Sequence, residues 1–170
     1  SIVLDDQVVG LKSFRNELFI FCRNSIYKLQ NINDSSNIAI VPVTKNVGCV
    51  DGKTIQEFAG DLIFLAPDGF RTIAGTARIG DVELGTISKT IQPLINEIVG
   101  SNSIFEYSSV VLRDKSQYRM FYSTSSASTF NSKGIIGTLT QRGFEWSEMA
   151  GIQAPAIASG FNSTGKEKMF

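Results

Sequence analysis

Two stretches of this chain are copies of one another. The run from Phe14 to Leu29 aligns without a gap on the run from Phe58 to Ile73, a displacement of 44 positions. A repeat of this length marks an array of supersecondary units, each too small to bury its apolar face alone and stabilised by stacking on a neighbour. Both copies have the same parts: a polar turn (Asn16-Glu17, Gly60-Asp61), an apolar run, a tight turn (Asn24-Ser25, Asp68-Gly69) and an alternating run. Leu18 to Phe21 and Leu62 to Leu65 are apolar at every position, which predicts strands buried between two layers. Ile26 to Leu29 and Phe70 to Ile73 alternate, which predicts strands nearer an edge.

A looser third copy follows. Phe105 to Arg113 reads as a strand that ends in the turn Asp114-Lys115-Ser116, with Tyr118 to Tyr122 as its hairpin partner. Ser123 to Thr129 is polar, uncharged and aperiodic, and is expected to be a mobile tip loop that could carry contacts. Gly134 to Thr140 returns, Gln141-Arg142-Gly143 turns, Phe144 to Ser147 is the next short strand, and Ala154 to Phe161 opens a further unit. Starts near Val8, Thr54, Phe105 and Ala154 are spaced by about 50 residues, the length of one four-stranded propeller blade.

Ser88 to Ile98 breaks the strand pattern. Ile91, Leu94, Ile95 and Ile98 fall at helical spacing, Ser88 or Thr90 can cap the start, Pro93 suits a first turn, and Gly100 can end it. The spacing predicts a short amphipathic helix that covers a blade edge or docks on a neighbouring subunit. The fold expected is therefore all-β, a partial β-propeller of about three four-stranded blades with one short inter-blade helix. It is expected as a single propeller-like domain over residues 1–170, with blades near 8–50, 54–87 and 105–149 and the start of another at 154. Because the chain opens at Ser1 and stops at Phe170 just after a Gly/Ser/Asn turn region, it reads as a fragment of something larger. An incomplete propeller leaves an open sheet, so the isolated chain is expected to pair with more blades.

Charge does not predict a partner. Lys and Arg number 16 against 16 Asp and Glu, so no net field attracts nucleic acid or an anionic membrane. Near-zero charge also gives little protection against self-association. Cys22 and Cys49 lack any CxxC spacing, which points to a reduced setting and leaves a bond between them open. No apolar stretch approaches the ~18 residues of a membrane span, and the N-terminus lacks a signal-peptide layout.

There is no His, which removes the commonest general base and the commonest metal ligand. The glycines at Gly69 and from Gly75 to Gly85 sit in turn contexts and not at a strand-to-helix junction, so a phosphate loop is not expected. Asp5-Asp6, and Asp61 with Asp68, lack the graded oxygen spacing of a calcium loop and read as turn carboxylates. No catalytic residue, metal or cofactor is expected, and the chain reads as a non-enzyme. A glycosidase on a propeller would need two carboxylates facing across a channel, and the residues to place are Asp61, Asp68, Glu83 and Glu145. Aromatic and basic residues gather late in the chain; among them Tyr107, Arg119, Tyr122, Arg142 and Trp146 are the candidate ligand or partner surface, by composition a platform for a receptor or glycan.

The order Val9-Gly10-Leu11-Lys12-Ser13-Phe14 through Ile26-Tyr27, Pro42-Val43 to Val47-Gly48-Cys49, Phe58 to Leu65, and Ile87-Ser88 to Ile95 resembles the β-propeller proteins of bacteriophage tails. It is similar in particular to the packaged-DNA stabilisation or tail-nozzle proteins of short-tailed phages, over roughly residues 8–98. The resemblance implies a virion structural protein of the tail or neck, assembled in the bacterial host cytoplasm as a ring homo-oligomer. It further implies portal, adaptor or tail proteins as partners and passage of DNA through the assembly. A receptor- or glycan-binding propeller module is the alternative.

Overall fold

The structure, a computed structural model, describes residues 4–74, 86–101, 104–126, 129–152 and 156–170. It is predominantly β, with four antiparallel sheets. The chain divides into two compact units, Ser1–Glu57 with Asp61–Ile87, and Phe58–Gly60 with Ser88–Phe170.

The first unit contains β1 (Val8–Phe14), β2 (Glu17–Cys22), β3 (Ile26–Gln30) and β4 (Ala39–Thr44), a meander hydrogen-bonded in the order β1-β2-β3-β4. A second sheet follows, with β5 (Gln56–Phe58), β6 (Asp61–Ala66) and β7 (Gly69–Thr72) in the order β5-β6-β7. The sequence repeat is a structural repeat down to its register. Ile20↔Tyr27 and Phe19↔Lys28 in the first sheet become Phe64↔Arg71 and Ile63↔Thr72 in the second, each displaced by the same 44 positions. Tyr27↔Pro42, the pairing that brings in the fourth strand, is matched by an isolated bridge Arg71↔Thr86.

Turn chemistry fixes that register. Phe14 pairs with Glu17 across a two-residue loop, and both loop residues, Arg15 (φ 50°) and Asn16 (φ 63°), are left-handed. Two left-handed central residues make the hairpin turn whose twist suits antiparallel strands. Ala59 (φ 53°) and Gly60 (φ 73°) repeat the device 44 positions on.

β2 and β6 are buried from Phe19 and Leu62 onward, as their apolar runs predict. Of the two alternating runs, β7 ends its sheet as expected, but β3 is not an edge strand. β3 lies between β2 and β4, and its alternation reports one partly uncovered face of the sheet. In β7 the residue that alternation places on a wet face, Arg71, is 1% exposed. Its guanidinium is held by Asp68, Nε to Oδ1 at 2.9 Å and Nη2 to Oδ2 at 2.5 Å, and such a two-point pair lets a charge be buried. The core of this unit joins Phe19, Phe21 and Ile26 of the first sheet to Ile55, Leu62, Phe64, Ala66 and Ile73, with Val47 and Cys49 between. Phe21 and Phe64 meet edge to face with ring centroids 5.2 Å apart.

The second unit begins with a 3₁₀ turn, Lys89–Ile91, that runs into helix α1 (Gln92–Gly100). Pro93 sits in the first turn, and Ile95 and Ile98 are buried. The expected cap differs: Ile91 is the capping residue of α1, and Ser88, which precedes the 3₁₀ turn, makes no side-chain cap bond. Next come β8 (Ile104–Leu112), β9 (Gln117–Ser126), β10 (Thr129–Thr140) and β11 (Gly143–Met149), again a meander in sequential order. Where it is described, the Ser/Thr-rich segment is strand and not the loop expected; residues 127–128 lie outside the described residues. Ser123 to Ser126 extend β9, Thr129 opens β10, and Thr129 pairs with Ser126. Ser and Thr serve there because the hydroxyls of Ser123 and Ser132, 2.9 Å apart and buried, satisfy each other across the strands. A closing hairpin pairs β12 (Ser159–Phe161) with β13 (Glu167–Met169); the expected start near Ala154 lies outside the described residues. The hairpin is tied to the end of β8 by Asp114 and Glu167, whose carboxylates each accept the other's backbone N–H, at 2.9 and 3.3 Å.

Candidate functional site

Pairing in the third sheet decides which late aromatic and basic residues share a face, because residues directly opposite in antiparallel strands point the same way and neighbours along a strand point oppositely. Tyr107 pairs with Tyr122, and Tyr118 pairs with Gly137, which pairs with Trp146. Tyr107, Tyr122 and Trp146 therefore share one face of the sheet. Arg119, between Tyr118 and Met120 on β9, points to the other, and Arg142 is exposed in the turn joining β10 to β11. The structure brings together three of the five candidates and separates the two cations from them.

The aromatic members carry structure. Tyr107 and Tyr122 are buried, and burial together with the nearby carboxylates of Glu148 and Glu97 pushes the Tyr122 hydroxyl up to about 12, so it stays protonated at neutral pH. Trp146 stacks on Phe144, with centroids 5.6 Å apart and planes 20° from parallel. Its ring also covers Gly137, where an added Cβ would stand 2.7 Å from Trp146 Cζ3. Arg119 donates through Nε and Nη2 to Gln117 Oε1 at 3.1 and 2.7 Å, and Gln117 Nε2 donates to Thr138 Oγ1 at 3.1 Å. That chain of bonds crosses the strands as a brace. Burial lowers the Arg119 pKa from its ordinary value.

The carboxylates take turn and strand-end roles. Asp6 accepts from the backbone N–H groups of Gln7 and Asn24, both at 2.8 Å, from the Ser25 hydroxyl at 2.7 Å and from Asn24 Nδ2 at 3.2 Å. The Ser25 hydroxyl is the first cause of the lowered pKa of Asp6. Asp61 accepts from Leu62 N and Ala74 N, Asp68 clamps Arg71, and Glu145 lies exposed on β11 beside the Thr140 hydroxyl. Glu83 and the glycines from Gly75 to Gly85 lie outside the described residues. Among the described residues no group of three or more Cys, Asp and Glu could hold a metal ion. Cys22 and Cys49 are both buried free thiols; Cys49 N donates to Cys22 O at 2.9 Å, and burial pushes the Cys49 thiol up to about 12. Among the described residues no helix is long and apolar enough to cross a membrane.

Two features of the first unit were not singled out from sequence. One is a cavity of about 360 Å³ at an open end between its two sheets, with Phe14, Phe19, Val43 and Ile73 as apolar walls and the Lys28–Glu17 ion pair, at 2.9 Å, among its lining. The other is the first sheet's outward face. Leu11, Ile20, Tyr27 and Pro42 form one row across the four strands, and Ser13, Leu18, Leu29 and Ile40 form the next. Comparing the two copies of the repeat position by position would have found that face, since its apolar residues recur 44 positions later. Against known proteins, the chain matches no family model and no curated protein sequence.

Proposed function

We propose that the chain is a structural component of a multi-subunit assembly and that its meanders are blades of a β-propeller-type stack. One observation carries this reading. The Phe19–Phe21 face of the first sheet packs on the Leu62–Phe64–Ala66 face of the second, and those two faces are not equivalent under the repeat. Packing of unlike faces continues from unit to unit and closes only as a ring, whereas packing of like faces ends at a pair. The sequence resemblance over residues 8–98 supplies the setting: a virion protein of a phage tail or neck, a nozzle or DNA-retention ring held by contacts to portal, adaptor or tail proteins, with DNA passing through. This reading assigns the chain no catalytic chemistry. A receptor or glycan platform is less well supported, because Arg119 and the buried Tyr107 and Tyr122 do not form one open surface.

Light scattering on the purified chain, with mass spectrometry of intact phage particles, tests the reading. The expected result is a mass several times 18.6 kDa and peptides of this chain in particles. A monomer absent from particles overturns it.

A further inference from the structure

The apolar residues that the second sheet and its flanks bring to the core of the first unit are Ile55, Leu62, Phe64, Ala66 and Ile73. Their counterparts 44 positions earlier are Leu11, Leu18, Ile20, Cys22 and Leu29. Both sets are apolar throughout, but their surroundings differ. Ile55 is 5% exposed and Leu11 is 60% exposed, with Val8 at 45% near it. In the second sheet this face is covered by Phe19, Phe21 and Ile26; in the first sheet the equivalent face is buried at Ile20 and Cys22 but exposed along its margins, at Leu11 on β1 and Pro42 on β4.

Its composition is that of a covered surface. The two rows defined by Leu11 and Ser13 hold Leu, Ile, Tyr and Pro and a single Ser. The sheet's strand charges, Lys12, Glu17 and Lys28, all lie on the other face, in line with Phe14 and Phe19. An apolar face free of charge and exposed along its margins is the usual mark of an interaction surface.

We propose that the outward face of the first sheet docks a four-stranded β-meander carried by a neighbouring polypeptide, which lays on it the counterpart of the Phe19, Phe21 and Ile26 surface. The repeat names this occupant, because the one time the structure covers such a face it does so with that surface. A second copy of the chain does not fit this face, since its own Phe19–Phe21 face is taken by its own second sheet, so the homo-oligomer expected in light scattering is held through other surfaces. The proposal rests on the blade reading above. Its failure is separable, because the test below uses the purified chain and needs no phage particle.

Repeating residues 9–52 once in tandem keeps the 44-residue spacing, so residue 52 of the added copy leads into Val9 as it leads into Lys53 in the parent. This chain presents the proposed meander to its own first sheet. The reporter is Leu11→Cys in the downstream copy, read as the rate of maleimide modification; Cys22 and Cys49 are buried, and the chain without the substitution gives their background. The expected result is fast labelling of Leu11→Cys in the parent chain and protection of about 100-fold or more in the tandem chain. Changing Phe19 and Phe21 of the upstream copy to Ser should restore fast labelling. Three outcomes overturn the proposal: parent-like labelling in the tandem chain, whether or not the added meander orders; protection that survives the two Ser substitutions; or labelling in the parent that slows as its concentration rises, which would make a second copy the occupant.

Discussion

Ile55 and Leu11 occupy the same place in the repeat, so replacing each with Ala separates what the sequence makes alike from what packing makes different. Ile55→Ala removes three carbons from a site 5% exposed, in a core shared with Phe19, Phe21 and Phe64. At about 0.8 kcal/mol per buried methylene the transfer loss is about 2.4 kcal/mol, and the cavity left behind raises it to about 3–4 kcal/mol. The site has little room to collapse, because Ile55 Cδ1 stands against β1, only 2.8 Å from where a Cβ on Gly10 would be. Leu11→Ala removes the same number of carbons from a site 60% exposed and should cost at most about 1 kcal/mol. Urea unfolding followed by far-UV circular dichroism reads the difference, a gap of about 2–3 kcal/mol or a midpoint separation of more than about 1 M at unchanged slope. Equal costs for the two variants, or a larger cost for Leu11→Ala, would refute the placement of these two faces.

Gly48→Ala should be strongly destabilising, by about 3 kcal/mol or more, because its Cβ would fall 1.9 Å from the backbone oxygen of Arg23; thermal melting checks it, and a loss under about 1 kcal/mol contradicts the close approach. Gly137→Ala should tilt Trp146 off the sheet and shift its fluorescence to the red, since the ring now lies where the methyl would go; an unmoved spectrum with the fold intact contradicts the stacking. Alkaline pH should destabilise the chain. The Cys49 thiol is raised in the folded state from 9.0 to about 12, so the unfolded chain loses this proton first: the contribution is whole below pH 9, declines above it and is gone by about 12. Stability measured from pH 8 to 11 should therefore fall less steeply in Cys49→Ala than in the parent.

Much of the fold was legible because the repeat is written in residues that act locally. The left-handed pairs Arg15-Asn16 and Ala59-Gly60 set hairpin register, and the unbroken apolar runs of β2 and β6 announce burial on both faces. Local signals failed where a partner reversed the meaning of a residue. Arg71 reads as a wet position until Asp68 supplies two hydrogen bonds, and Ser123 reads as loop until Ser132 faces it across β9 and β10. The late aromatic and basic residues look like one cluster because they are close in sequence, but parity along β9 puts Arg119 and Tyr122 on opposite faces, and parity acquires meaning only once the strand is known to be continuous from Gln117 to Ser126. The outward face of the first sheet was hidden for another reason. Its residues are as apolar as their buried counterparts, so the pattern records what the face is built to touch and not whether it is touched.

That last point gives the first unit a direction. Had its two sheets met through equivalent faces, a two-fold relation would have satisfied both and left nothing over. They meet instead through unlike faces, so each sheet keeps one face for another neighbour. In the second sheet that face is closed, with Ile63 and Leu65 buried at 1% and 0% exposure, while in the first it is buried at Ile20 and Cys22 but exposed at Leu11. Under the docking proposed above, the stack grows from the first sheet outward, through its exposed Leu11 margin. Under that proposal, the apolar row from Leu11 to Pro42 is a piece of core that the neighbouring meander completes.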